Sequence, residues 1–151
     1  LLAGKIEGIL NRIVRQIALY DFEKKIHERG RQQDLTSQEI CNLWIETIQA
    51  SMGPSVHFND SYRYFWAYVP HFFHSPFYVY SYAFGDGVAN SLYAKYQEGK
   101  KDFSQNYVEL LKAGATKNYK ELLKPFDLDI TNPVFWKRGI KSIVNLIDQL
   151  N

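Results

Sequence analysis

Apolar residues recur at Ile6, Ile9, Leu10, Ile13, Val14, Ile17 and Ala18, a three-and-four spacing that lines one face of a helix. The pattern continues through Phe22 and Ile26 and stops near Gly30, so the spacing predicts one long helix over residues 5–29. The polar run Arg31-Gln32-Gln33-Asp34 predicts a loop. Thr36-Ser37-Gln38-Glu39 is then a capping box: the threonine side chain accepts the N–H of Glu39, and the glutamate reaches back to the N–H of Thr36. Leu35 and Ile40 flank it as a hydrophobic staple. This second helix runs through Leu43, Trp44, Thr47 and Ile48 and ends before Pro54, which has no N–H to donate and disfavours helix in the residue before it.

Residues 61–68 are predicted to be helical, and Pro70 and Pro76 bracket a tight loop. Phe77-Tyr78-Val79-Tyr80-Ser81-Tyr82 alternates with period two and has strand propensity. However, no comparable segment exists to pair with it, and a lone strand leaves its backbone unsatisfied. It also runs on into Val88, Ala89, Leu92, Tyr93 and Tyr96 at helical spacing, so a helix is predicted over residues 77–98, closed by Gly99. Gly85 and Gly87 cost such a helix about 1 kcal/mol each against alanine and imply close approach of a neighbour or ligand. Asp102 is predicted to cap a helix through Tyr107, Leu110 and Leu111 that stops at Gly114. A short helix over 119–124 precedes Pro125. Asn132 as cap and Pro133 at the first helical position open the last helix, which carries Phe135, Trp136, Ile140, Ile143, Val144, Ile147 and Leu150. The fold class expected is all-α, as a single helical domain over 1–151.

Composition refines this picture at one point. Hydrophobic residues at 46% and charged residues at 23% describe an ordinary globular chain. Aromatic residues reach 16%, with eleven Tyr and ten Phe, many between Tyr62 and Phe84. A dense tyrosine cluster suits a wet core or a polar cleft. The net charge of +2 comes with no basic stripe, which argues against nucleic acid as a partner. Arg63, His71, His74, Pro70 and Pro76 interrupt the aromatic stretch, so it does not read as a membrane span. The single Cys41 excludes an internal disulfide and a cysteine-based zinc site, in keeping with a cytoplasmic location. Leu1 runs straight into the first periodic pattern without a cap, as expected of an internal cut in a longer chain.

No HExxH motif and no glycine-rich phosphate loop is present. His71 and His74 stand three apart without a nearby carboxylate, a poor zinc site, so no metal ligand is expected in this chain. His27 reads as solvated surface, and His57 lies in a loop. The loop from His71 to Pro76, followed by Tyr78, Tyr80 and Tyr82, is the one constellation with mechanistic promise. On a helix, Tyr78 and Tyr82 share a face while Tyr80 points roughly opposite. A tyrosine hydroxyl or histidine N–H can donate to a developing oxyanion. On the residues alone, core rings whose hydroxyls find backbone partners are the favoured reading, with a polar cleft as the alternative.

The order of features resembles the C-terminal end of the oligoendopeptidase F family and its thimet-oligopeptidase-like relatives. The resembling residues are Arg15-Gln16, Phe22-Glu23-Lys24-Lys25-Ile26-His27, Leu35-Thr36 and Met52-Gly53-Pro54. The most specific block is Pro70-His71-Phe72 leading to Phe77-Tyr78-Val79-Tyr80-Ser81-Tyr82-Ala83-Phe84-Gly85, and Tyr107, Leu110-Leu111-Lys112-Ala113-Gly114 and Glu121-Leu122-Leu123 close the series. The resemblance implies the helical C-terminal portion of a larger zincin-type oligopeptidase. It implies a zinc metalloendopeptidase that hydrolyses short peptides, with its metal held upstream by HExxH and a further glutamate. This chain would supply the opposite wall of the substrate channel. The resemblance assigns His71 and Tyr80 as oxyanion donors, and Tyr78, His74 and Gly85 as substrate-binding residues. Several relatives have tyrosine where this chain has Phe73 and His74. The partners implied are short peptides and the upstream part of the same polypeptide, and the fragment alone is expected to be inactive. The alternative is a stand-alone helical module that binds a peptide or ligand without catalysis.

Overall fold

The computed structural model describes residues 2–150, apart from the side chains at 138, 139 and 142; Leu1 and Asn151 lie outside them. Every regular element among the described residues is helical, so the chain is all-α. It divides into two compact units, Glu7–Phe84 and a second formed by Gly85–Asn151 with the first residues of the chain.

The long N-terminal helix is not uniform. α1 (Leu2–Leu10) passes into a π-helical turn, Asn11–Arg15, and then into α2 (Gln16–Gly30). A π turn carries an extra residue, which moves the buried face along the sequence. Ile17, placed inward by its spacing, is 45% exposed, whereas Leu19 is 3% exposed. α2 packs against α3 (Ser37–Met52). The capping box forms as expected: the Glu39 N–H donates to Thr36 Oγ1 and the Thr36 N–H donates to Glu39 Oε2. α3 ends at Gly53, whose φ of 78° is open to glycine at little cost. Ala18, Leu19, Phe22, Leu43, Trp44, Ile48, Val69 and Val79 form the core of the first unit, and the Trp44 indole N–H donates to the Tyr62 carbonyl at 2.9 Å.

The helix expected over 61–68 is a 3-10 helix, Asp60–Tyr68. With three residues per turn, side chains three apart lie one above the other. Tyr62 stacks on Phe65 with rings 9° from parallel and Phe65 stacks on Tyr68, so the aromatic spacing suits this tighter helix.

The second unit contains α5 (Tyr80–Gln97) beyond the division, α6 (Phe103–Ala113), α7 (Tyr119–Leu123) and α8 (Pro133–Ile147). Leu92, Leu123, Phe126, Leu128 and Phe135 form its core. Asn132 caps α8 by accepting the Val134 N–H, as predicted. Asp102 makes no side-chain cap and instead takes a left-handed conformation. Gly87 has the reason expected of a helical glycine: a Cβ there would lie 2.6 Å from the Trp136 ring. Gly85 has open space at the same position, so close packing does not explain it.

Candidate active site

The buried Val69 and the following Pro70 end the 3-10 helix and start α4, His71–His74, a single turn inside what reads as a loop in sequence. The His74 N–H donates to the Pro70 carbonyl and the Ser75 N–H to the His71 carbonyl, each at 3.0 Å. Ser75, Pro76 and Phe77 lead back toward α5. Phe77 has φ of 58°, so the expected helix starts three residues late, at Tyr80. Val79 is fully buried and anchors this entry to the core.

This path brings three side chains together. The His71 and Tyr78 rings stack 3° from parallel with centroids 5.7 Å apart. Tyr82 stands edge-on to both, also at 5.7 Å. His71 Nε2 and the Tyr82 hydroxyl are hydrogen-bonded at 3.2 Å. A neutral imidazole and a phenol have two exchangeable protons between them, and their mutual bond uses one. The other remains on the pair as a donor, on Nδ1 or on the Tyr82 hydroxyl according to the tautomer. The cluster is open to solvent: Tyr78 is 50% and Tyr82 41% exposed, and His71 is half-buried. Elsewhere in this unit, the Tyr62 phenol, stacked on Phe58 and Phe65, is pushed above its ordinary pKa by burial, with Arg15 acting the other way.

Tyr80 is separate from this trio. Its ring meets Tyr20 edge-on at 5.8 Å and is 50% exposed. The helical reading, with Tyr78 and Tyr82 on one side and Tyr80 on another, therefore holds although Tyr78 precedes the helix. His74 ends α4 in an exposed position and Gly85 is exposed in α5. No group of three or more His, Cys, Asp or Glu residues placed to hold a metal is found among the described residues.

The family model of peptidase family M3 matches residues 1–142. The chain belongs to peptidase family M3. It is 33% identical over 146 residues to a chromosomal oligoendopeptidase F of Lactococcus lactis subsp. cremoris, covering 96% of this chain and 24% of that protein. It is 30% identical over 143 residues to an oligoendopeptidase F homolog of Borreliella burgdorferi (94% and 23%). It is 25% identical over 146 residues to oligopeptidase PepF of Bacillus subtilis (96% and 22%). The chain thus spans about a quarter of the length of these curated relatives. No solved structure matches. Among the described residues, no helix is long and apolar enough to cross a membrane.

Two residues of this M3 chain acquire roles that the sequence reading did not give them. Tyr82 was grouped with His71, Tyr78 and Tyr80 and placed on the face of Tyr78, but its bond to His71 was not foreseen and depends on the turn at α4. Its position eleven residues from His71 has no helical periodicity to reveal it. Glu23 is 2% exposed and its Oε1 accepts the Phe77 N–H at 2.7 Å across 54 residues of chain. The one available signal was its neighbour Phe22, whose apolar face Glu23 shares after the π turn.

Proposed function

We propose that this chain is the C-terminal part of the catalytic region of a zinc oligoendopeptidase, acting on short peptides in the cytoplasm, and that it forms the wall of the substrate channel facing the metal. The observation that carries this reading is the solvent-open cluster of His71, Tyr78 and Tyr82, with Tyr80 exposed separately against Tyr20. Membership of the family supplies the reaction class. The residues of the chain do not fit a zinc site: no three-ligand cluster exists among the described residues, and His71 Nε2 is engaged by Tyr82. The reading places zinc, as the family resemblance implies, on an upstream part of the polypeptide.

Peptide hydrolysis places negative charge on the scissile carbonyl oxygen, and donors already in place stabilise that charge without reorganising. His71, oriented by Tyr82, and Tyr80 through its hydroxyl serve as those donors. The exposed face of Tyr78 contacts the peptide, with His74 along its path. The test is Tyr80→Phe in the full-length polypeptide, assayed on a short fluorogenic peptide. Turnover should fall on the order of 10²-fold, equivalent to about 3 kcal/mol, with KM changed far less. Unchanged kcat rejects the role of Tyr80.

A further inference from the structure

Among the described residues, Phe77, Asp102 and Asp127 are non-glycine residues with positive φ. Aspartate visits the left-handed region readily, but for a bulky aromatic residue this conformation is a true outlier. Such a conformation is strained and persists only where its surroundings hold it. At Phe77 the surroundings are one face of α2. The ring lies 6.4 Å from Tyr20 and 4.7 Å from His27. Between them, three and four residues away on the same face, Glu23 accepts the Phe77 N–H at 2.7 Å.

Glu23 is an unusual choice for that task. It is 2% exposed, and its other oxygen, Oε2, has no hydrogen-bond partner among the described residues. Burying a carboxylate is unfavourable unless it is paired, and no ion pair to Glu23 is found among the described residues. The polar contact found for it among the described residues is the one to Phe77. Phe77 immediately precedes Tyr78, which stacks on His71, and lies three residues before Tyr80. Tyr20 touches both Phe77 and Tyr80. The turn at Phe77 therefore fixes how both tyrosines leave the core.

We propose that Glu23 is a positioning residue for peptide hydrolysis: by binding the Phe77 N–H it holds the left-handed turn that orients Tyr78 and Tyr80. This rests on the functional reading given above. Its role differs from that of a packing residue, and the difference is measurable. Glu23→Met fills the buried volume with apolar atoms and removes the acceptor, so the core stays packed while the turn loosens. Glu23→Gln keeps a carbonyl oxygen able to accept the same N–H.

The experiment compares both variants with Tyr80→Phe in the full-length polypeptide, measuring steady-state kinetics and hydrogen exchange of the segment containing the Phe77 amide. Glu23→Met should exchange faster at that segment and lose about tenfold in kcat, with KM within about threefold, a displacement effect. Glu23→Gln should retain protection and most of kcat. Unchanged exchange in Glu23→Met overturns the inference. So does faster exchange with undiminished kcat where Tyr80→Phe is impaired. If Glu23→Met does not fold, a tenfold kcat loss in Glu23→Gln with Phe77 still protected overturns it, and retention of both supports it. Unimpaired Tyr80→Phe rejects the functional reading itself, and the exchange data show separately whether Glu23 holds the turn.

Discussion

Each unit carries a run of aromatic rings, and the two runs differ in what they can do. In the second unit Tyr93, Tyr96, Phe103 and Tyr107 form a ladder of rings 5.5–6.3 Å apart, and Phe103 continues edge-on into the core residue Phe126. In the first unit, His71, Tyr78 and Tyr82 are spaced equally closely and similarly open. Aromatic density and exposure are therefore common to both. The difference is the imidazole, which ties one hydroxyl into a hydrogen bond and leaves the pair a proton to donate. Stacked rings supply area and rigidity; chemistry requires a group that donates or accepts at a defined angle.

The largest effect that tests this contrast is on stability alone. Phe126 is fully buried in the second core, and Phe126→Ala should cost about 3–5 kcal/mol in denaturant unfolding, with kcat per folded molecule unchanged. A loss of turnover without a loss of stability would give the second unit a catalytic role and break the comparison.

The two helical glycines should diverge next. Gly87→Ala drives a Cβ to 2.6 Å from the Trp136 ring and should destabilise by about 1–3 kcal/mol. Gly85→Ala meets open space and should stabilise by up to about 1 kcal/mol through helix propensity, read as a higher melting temperature.

Removing one hydroxyl from each run sharpens the contrast further. Tyr82→Phe breaks the bond to His71 and should lower kcat by about fivefold, matching a bond of about 1 kcal/mol. Tyr96→Phe, in the stacked ladder, should leave kinetics unchanged.

The smallest effects are electrostatic. Glu39 is held below the ordinary carboxyl range by hydrogen bonds from the Thr36 backbone N–H and hydroxyl. Asp127 is held low by its hydrogen bond to, and the charge of, Lys100. Both pKa values are depressed on folding, so each contribution is present above the unfolded pKa and is lost as pH falls through the folded one. Carboxyl NMR titration should show that added salt raises the Asp127 pKa and barely moves that of Glu39, because screening weakens an exposed ion pair more than a hydrogen bond within one turn.

Much of the architecture was readable in local chemistry. The Thr36 box, the Asn132 cap followed by Pro133, and the stops at Gly53 and Gly114 depend on residues within a few positions of each other, so sequence alone specified them. The same holds for the all-helical class, because the apolar spacing outweighed the strand propensity of residues 77–82. The Asp102 cap was read wrongly for a related reason: a residue type suited to capping is equally suited to the left-handed conformation it adopts here. The π turn at Asn11–Arg15 shifted a buried face that periodicity had placed one residue away, and the 3-10 form of Asp60–Tyr68 was visible only once its aromatic column was seen to stack.

Among the candidate residues, sequence supplied identities, and the tertiary structure supplied the grouping. His71, Tyr78 and Tyr80 stood out by type and by resemblance to a family. Which tyrosine meets the histidine depended on a left-handed turn at Phe77, held by a glutamate 54 residues earlier. Local propensities cannot encode such a contact: the free energy that holds Phe77 there comes from a helix face which exists only after the chain has folded.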